Sequence, residues 1–290
     1  MAGNLISLRR RIRSVRNNQK ITRAMKTVSA AKLRRASGDL GRGRPFLAGL
    51  KQLLAAVGQA VDPANQPLLQ SHATGKVLLV VIASDKGLCG SFNTKVLKRA
   101  EEELASLAAA GETVELVAVG TKVVRHFTKK GMVPAHAFPG LMSHLTFDEA
   151  RQIFEILQGK FLRGEAKSVV AVSTDFVSAS RQEVKTTPLF PLELDLEGDT
   201  PGHEVEYILE PGAEGLLKAL LPRYVQARFY QVLLGSSAAE HAARMLAMDL
   251  ATRNASDMLH TLTLTMNKIR QASITGELLE IITATEALNA

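Results

Sequence analysis

The sequence predicts an α/β protein with long helices at both ends and an open α/β layer between them. Apolar residues recur at helical spacing through the first 58 residues and again from Pro211 onward. Strands alternate with helices in the middle of the chain. The two ends differ in charge, so the basic first helix and the mildly acidic last helix can bury their apolar stripes against each other.

The first segment predicts one long helix. Its apolar residues follow one another in steps of three and four: Leu5, Leu8, Ile12, Val15, Ile21, Met25, Val28 and Leu33. The pattern weakens near Gly43–Pro45, resumes at Phe46, and ends by about Gly58. Fifty helical residues span roughly 75 Å, which no small globular domain contains, so we expect this helix to protrude.

The middle of the chain predicts the α/β layer. Lys76–Ser84 is a continuous β-branched run typical of a buried parallel strand, and the turn Asp85–Gly90 follows it. The further predicted elements are a helix from Asn93 to about Ala109, a strand Val114–Val119, helices Thr121–Lys130 and Phe147–Leu162, and a strand Ser168–Thr174. We expect residues 186–203 to form a loop and Val205–Leu209 an edge strand.

The last segment predicts a second long helix, interrupted near its start by Pro222. Residues 240–290 contain four basic and six acidic side chains. These patterns divide the chain into an N-terminal helix at 1–58, a central domain at 59–210 and a C-terminal helix at 211–290.

The charge of the first segment indicates an acidic partner. Residues 1–51 hold fourteen Lys and Arg and one acid, Asp39, which would suit an acidic protein surface, nucleic acid or anionic lipid. Nucleic-acid binding would favour stacking aromatics, and none occurs between residues 1 and 45. A membrane-surface helix would need bulkier apolar residues. Small residues in Thr27–Ala31 favour close helix pairing inside a larger acidic assembly.

No motif predicts catalysis. The DKGLCG turn lacks the spacing of a dinucleotide fingerprint or a phosphate-binding Walker loop. Cys89 could be a nucleophile at a helix N-terminus, but a small buried hydrophobe is the favoured interpretation. The seven His are scattered, and we predict no catalytic, cofactor or metal site.

Five blocks of sequence resemble the gamma subunits of F-type ATP synthases. They are LRRRIRSVRNNQKITRAMKTVSAAKLRRA at Leu8–Ala36, SDKGLCGSFN at Ser84–Asn93, LLPRYVQARFYQ at Leu220–Gln231, EHAARMLAMDLATRNASDM at Glu240–Met258 and NKIRQASITGELLEIITATEAL at Asn267–Leu288. The blocks occur in the family's order and cover essentially the whole chain.

The resemblance implies a fold and a set of partners. The terminal helices would form a long antiparallel coiled coil inside a hexamer of alternating alpha and beta subunits. A Rossmann-like middle domain would lie beside the epsilon subunit and the c-subunit ring. The chain would be a non-catalytic rotor, turned by proton-driven ring rotation and forcing the catalytic beta subunits through different nucleotide affinities.

The resemblance also implies contact residues. Those expected to meet the catch loops of the beta subunits are Met25, Lys26, Arg244, Arg270, Gln271, Thr275 and Glu277. Tyr207 and Glu210 would approach the c ring and epsilon. Two departures are MKTVSAAK beside Met25 and Ala284 where many members have Gly, and neither disturbs a helix. A single cysteine excludes the redox regulation of the chloroplast type.

The resemblance begins at the first residues, which indicates no mitochondrial presequence. We therefore expect a bacterial protein, peripheral on the cytoplasmic face of the cell membrane. Two alternatives stay open at this point: a nucleic-acid-binding coiled-coil protein and an enzyme that uses Cys89.

Overall fold

The computed structural model describes residues 2–58, 61, 66–192, 210 and 212–289. In chain order the helices and strands are α1 (Ala2–Gly58), β1 (Lys76–Ile82), α2 (Phe92–Ala109), β2 (Val114–Val119), α3 (Thr121–Lys129), β3 (His136–Phe138), α4 (Phe147–Leu162), β4 (Ala166–Phe176), β5 (Gln182–Phe190) and α5 (Ala213–Asn289). A short 3-10 helix, Leu141–Ser143, precedes α4. Long terminal helices around a central sheet confirm the predicted fold class.

The chain forms two compact units. The helix-pair unit contains Met1–Ser29 and Met245–Ala290, and the α/β unit contains Ala30–Arg244. Both α1 and α5 therefore contribute one part to each unit. The boundaries predicted at residues 58 and 210 follow the ends of these helices, and they stay a prediction.

The α/β unit is built on a sheet with the strand order β3-β2-β1-β4-β5 in the described residues. The first four strands are parallel, and β5 pairs antiparallel with β4 at the edge. The central strand β1 is buried along both faces, as its continuous apolar run predicts. Leu78, Val80 and Ile82 enter one core, while Leu79 and Val81 enter the other, because successive strand residues point to opposite faces.

Helices cover both faces of this sheet. On one face, α4 packs together with the ends of the two long helices, through residues such as Leu54 of α1 and Val225 of α5. On the other face lie α2 and α3, with Val96 and Phe127 fully buried. The sheet therefore fixes the places where α1 and α5 leave the α/β unit.

The helix α1 continues through the predicted weak point, with Pro45 inside it. At Gly43 a Cβ atom would meet the end of the flexible Gln231 side chain on α5, which would have to move aside. Gly43 therefore marks a place where α1 and α5 lie close together in the α/β unit.

In the helix-pair unit, the less exposed residues of both helices recur in steps of three and four. On α1 they include Leu5, Leu8, Ile12, Val15, Gln19, Thr22, Lys26 and Ser29. On α5 they include Met245, Met248, Thr252, Ala255, Leu259, Leu262, Met266, Ile269, Ser273 and Gly276. A repeat of seven residues with two inward positions is the seam of a coiled coil.

Two sequence predictions for the middle of the chain differ from the structure. The loop predicted from residue 186 was wrong over its first five residues, because β5 runs to Phe190. Pro188 misled that prediction, since proline is tolerated on an edge strand that pairs on one side only. The short strand β3 had no apolar run to reveal it. The predicted edge strand Val205–Leu209 lies outside the described residues.

Candidate partner-contact site

Four of the predicted contact residues lie on the C-terminal part of α5. Arg270, Gln271, Thr275 and Glu277 are all exposed, and Ser273 Oγ donates a hydrogen bond of 3.1 Å to Glu277 Oε1. Residues four apart share a helix face, so Gln271 and Thr275 form one row. Arg270 makes no ion pair within the described chain, so its guanidinium is available to a partner.

The same stretch of α5 exposes large apolar side chains. Ile274, Leu278, Leu279, Ile281 and Ile282 are each more than half exposed. Isolated exposed hydrophobes are common on soluble proteins, but a contiguous group marks an interaction surface. The structure therefore brings the polar contact candidates together with an apolar surface.

Met25 and Lys26 lie on α1, in the helix-pair unit, and both are partly buried. Lys26 Nζ forms an ion pair of 2.6 Å with Asp249 Oδ1 on α5, and Arg253 Nη2 lies 2.8 Å from the other oxygen of that carboxylate. The hydrogen bond from Lys26 is the main cause that lowers the pKa of Asp249. Lys26 thus has a partner within the chain that its sequence context did not reveal.

Arg244 lies in the α/β unit, and its side chain is only 9 % exposed. Its Nη1 pairs with Glu240 Oε1 at 2.7 Å, one helical turn earlier on α5. Its Nη2 donates to the backbone carbonyl of Lys86 at 3.1 Å and to that of Gly87 at 3.3 Å. The guanidinium therefore ties α5 to the turn that follows β1.

Glu240 is almost completely buried beside this guanidinium. Burial raises the pKa of Glu240, and the charge of Arg244 offsets part of that rise. Burial is also the main cause that lowers the pKa of His241 to about 4, with Arg244 and Lys32 contributing. Arg244 is therefore the dominant cation of this buried cluster.

The turn held by Arg244 is also braced from within. Ser84 Oγ donates to the carbonyl of Lys86 at 2.6 Å, and Asn93 Nδ2 donates to Cys89 Sγ at 3.2 Å. Cys89 is buried and packs with Phe92 and Ala239, which supports its interpretation as a small buried hydrophobe. Leu88, at the tip, is 63 % exposed and has a left-handed backbone with φ of 62°.

Asp85 joins three segments that meet at the carboxyl end of the sheet. Its Oδ1 accepts hydrogen bonds from the backbone N–H groups of Thr121 at 2.9 Å and Gly140 at 2.7 Å. Its Oδ2 accepts one from the backbone N–H of Ser143 at 2.9 Å, and both hydroxyls of Thr121 and Ser143 donate as well. Burial raises the pKa of Asp85, but these donors outweigh burial and leave it lowered.

Replacing Asp85 with asparagine should loosen these segments. In Asp85→Asn an amide NH₂ group replaces one carboxylate oxygen and cannot accept hydrogen bonds from the N–H donors on that side. Because hydrogen bonds to a charged group contribute about 1.5–3 kcal/mol, we expect a loss of local stability of that size. We expect amide hydrogen exchange at Thr121, Gly140 and Ser143 to accelerate by roughly tenfold to 100-fold. The control is Asp175→Asn, whose carboxylate pairs with Lys185 at the surface and is worth under about 1 kcal/mol.

The pH dependence of this effect has a defined sign. Because the pKa of Asp85 is lowered on folding, its stabilisation is present above the ordinary value of 3.8 and is lost as the pH falls through the lowered value. The difference in stability between wild type and Asp85→Asn should therefore vanish in acid. Equal exchange rates in the two proteins at pH 7 would contradict the assignment.

The cations at the start of α1 are all exposed: Arg9, Arg10, Arg11, Arg13, Arg16, Lys20 and Arg23. None forms an ion pair with an acid among the described residues. Their charge is therefore free to meet an acidic surface.

The two remaining site predictions concern the end of the central segment. Glu210 is exposed, and Tyr207 lies outside the described residues. Sequence reasoning missed Glu240, Asp249 and Asp85. The i,i+4 spacing was a usable signal for the pairs Glu240–Arg244 and Asp249–Arg253. The pairing of Asp249 with Lys26 and the hydrogen bonds of Asp85 join residues distant in sequence.

The described chain contains neither a helix long and apolar enough to cross a bilayer nor a group of three His, Cys, Asp or Glu able to hold a metal. Its distinctive features are a helical pair that exposes most of the predicted contact residues and an α/β unit to which both helices contribute. These features favour the class of structural proteins that act through contacts with partners.

Comparison with known proteins identifies the family. A family model described as ATP synthase matches residues 4–288. The ATP synthase gamma chain of Chlorobium phaeobacteroides is 40% identical over 290 residues, covering 98% of both chains. That of Pelotomaculum thermopropionicum is 41% identical over 285 residues, covering 98% of this chain and 99% of the relative.

Solved structures agree. A chain from the central stalk and c-ring structure of the Tetrahymena thermophila mitochondrial ATP synthase is 27% identical, with a TM-score of 0.59 over 80% of this chain and 99% of that one. A chain of the Euglena gracilis mitochondrial enzyme shares the fold, with a TM-score of 0.69, 18% identity, and coverage of 99% and 95%. The chain belongs to the ATP synthase gamma chain family. It is a non-catalytic central-stalk subunit of the F-type ATP synthase, a membrane-associated complex.

Proposed function

We propose that this chain is the rotor that couples rotation of the c-subunit ring to conformational change in the catalytic beta subunits. The observation that carries the proposal is the helix-pair unit, whose exposed surface combines a basic N-terminal face with polar and apolar residues on α5. A hexamer of alpha and beta subunits around this unit would supply the acidic surface that the cations of α1 require.

The beta-subunit contacts would be made chiefly by α5. Arg270, Gln271, Thr275 and Glu277 are exposed and close together, as residues that meet a catch loop must be. Met25 and Lys26 would contribute from α1. Arg244 belongs to the same set by resemblance, and its burial favours an indirect contribution through the turn that it holds.

The opposite partners would be the epsilon subunit and the c ring, met by the central domain near Tyr207 and Glu210. In that arrangement the chain would lie on the cytoplasmic face of a bacterial cell membrane, peripheral to it. Gamma chains about 40% identical to this one come from bacteria such as Chlorobium phaeobacteroides and Pelotomaculum thermopropionicum, which supports that location.

Purification of the affinity-tagged chain from membranes of its own organism tests this function. We expect alpha, beta, epsilon and c subunits to co-purify, together with ATP hydrolysis. A second preparation tests the basic face of α1 by changing Arg9, Arg13 and Arg16 to glutamine. This variant should recover less alpha and beta, because it lacks three exposed positive charges.

Recovery of the chain without those subunits would contradict the proposal. A salt titration with duplex DNA and RNA tests the nucleic-acid alternative in the same preparation. Log affinity that falls steeply with log salt would identify a phosphate-binding protein.

A further inference from the structure

Three side-chain pairs link α1 to α5 inside the helix-pair unit, and together they are named the polar ladder. They are Gln19 Nε2 to Ser256 Oγ at 2.6 Å, Thr252 Oγ1 to Thr22 Oγ1 at 2.8 Å, and Lys26 Nζ to Asp249 Oδ1 at 2.6 Å.

On α1 the polar ladder occupies inward positions of the coiled-coil seam, whereas on α5 Thr252 is inward and Asp249 and Ser256 lie beside the seam. Gln19, Thr22 and Lys26 continue the steps of three and four that begin with Leu8, Ile12 and Val15. Apolar residues normally fill such positions, because they supply the energy of helix pairing. The seam thus changes from apolar to polar along α1.

The ladder defines one antiparallel register. The two residue numbers in each pair add up to 274 or 275, so each step along α1 is matched by a step back along α5. The same register places Val15 level with Leu259. A slip of one heptad would place Thr22 level with Leu259 and would separate Lys26 from Asp249.

We propose that the polar ladder sets the register of the two stalk helices within the helix-pair unit. Apolar inward positions look alike from one heptad to the next, so they oppose a slip only weakly. The polar pairs oppose it more strongly, because a slip of one heptad breaks the Lys26–Asp249 ion pair and places Thr22 level with Leu259 instead of Thr252. The proposal concerns contacts within the chain and does not depend on which partner surrounds the stalk.

The contribution is to specificity more than to stability. The side chains of Lys26 and Asp249 are 45 % and 25 % exposed, and exposed ion pairs add little to stability. Polar residues at inward positions of coiled coils select register at some cost in stability. Lys26 and Asp249 have opposite charges, so this rung tolerates exchange of the two residues but not duplication of either.

Disulfide crosslinking of the purified full-length chain tests the register. In a Cys89→Ser background, the pair Val15→Cys and Leu259→Cys reports the observed register. The pair Val15→Cys and Met266→Cys reports a slip of one heptad. We expect the first pair to form at least about tenfold more disulfide than the second in the parent chain.

Charge reversal then tests the Lys26–Asp249 rung. With Arg253→Ala present in every variant so that no second cation faces position 249, Lys26→Asp alone and Asp249→Lys alone should each lower the ratio of the two crosslinks about fivefold. The double reversal should restore the ratio to within about twofold. The control is Lys20→Asp, the same reversal on an exposed side chain of α1, which should leave the ratio unchanged.

A second variant separates register from stability. Thr22→Val with Thr252→Val keeps the side-chain volume and removes one rung. We expect helix content by circular dichroism to be kept while the crosslink ratio falls about threefold. An unchanged ratio in this variant and in both single reversals would overturn the proposal. So would a double reversal that does not recover.

Discussion

Replacing Arg270 with alanine is expected to slow ATP synthesis by about tenfold to 100-fold in membranes that contain normal amounts of the complex. Arg270 is exposed and lies beside Gln271 on a helix that exposes apolar side chains around it. A charge-assisted hydrogen bond contributes about 1.5–3 kcal/mol. If the contact is made in the rate-limiting rotary state, that energy corresponds to this change in rate.

Arg270→Lys distinguishes a geometric contact from a simple charge. The guanidinium donates two parallel hydrogen bonds to a carboxylate, whereas the ammonium group of lysine acts as a point charge. We therefore expect only partial recovery with lysine. Lys129→Ala, at an exposed position of α3, should change neither synthesis nor hydrolysis. Normal rates in Arg270→Ala membranes would remove this residue from the torque path.

Replacing Arg244 with alanine is expected to destabilise the α/β unit by about 3–5 kcal/mol, since it leaves a buried carboxylate without its cation. The carbonyls of Lys86 and Gly87 also lose the guanidinium as a donor, so the turn becomes more mobile. Two measurements check this: thermal unfolding of the purified chain, and the rate of tryptic cleavage after Lys86. The unfolding temperature should fall, and cleavage after Lys86 should become faster, because a protease cuts the turn when it opens locally.

The matched control for Arg244 is Arg253→Ala. Arg253 also pairs with an acid four residues earlier on α5, but its side chain is 75 % exposed, so the expected loss is under about 1 kcal/mol. Equal unfolding temperatures for Arg244→Ala and Arg253→Ala would show that the buried pair is not needed.

The pH dependence of Arg244→Ala follows from Glu240. Its pKa is already raised by burial, and removing the cation raises it further. The folded protein then keeps Glu240 protonated while the unfolded chain ionises above the ordinary value of 4.5. The deficit in stability should therefore grow as the pH rises above that value and should be smallest in acid.

The sequence predicted the elements whose pattern is local. The helix Phe147–Leu162 and the strand Val114–Val119 have the predicted bounds, because their signals are local: a capping box at Thr146 begins the helix, and three valines in six residues favour the strand. The strand Gln182–Phe190 was missed, since an edge strand makes its ladder hydrogen bonds with a single neighbour and carries a weaker apolar pattern.

The site was predicted less completely than the fold. Resemblance selected Arg244 and Arg270 together, yet one is buried against its own chain and the other is exposed. Sequence spacing does not show which way a guanidinium points, because that depends on segments distant in sequence, such as the turn at Lys86. The pairing of Lys26 with Asp249 was missed for the same reason, because it joins residues 223 apart in sequence.

The seven-residue repeat of the helix seam also gives the stalk a handedness. A straight α-helix has 3.6 residues per turn, so a seam that repeats every 3.5 residues stays in contact only if the two helices wind around each other to the left. Torsion applied in one sense tightens this winding, and torsion in the other sense opens it. Clockwise and anticlockwise loads of equal size therefore strain the same seam differently, so its elastic response depends on the direction of rotation.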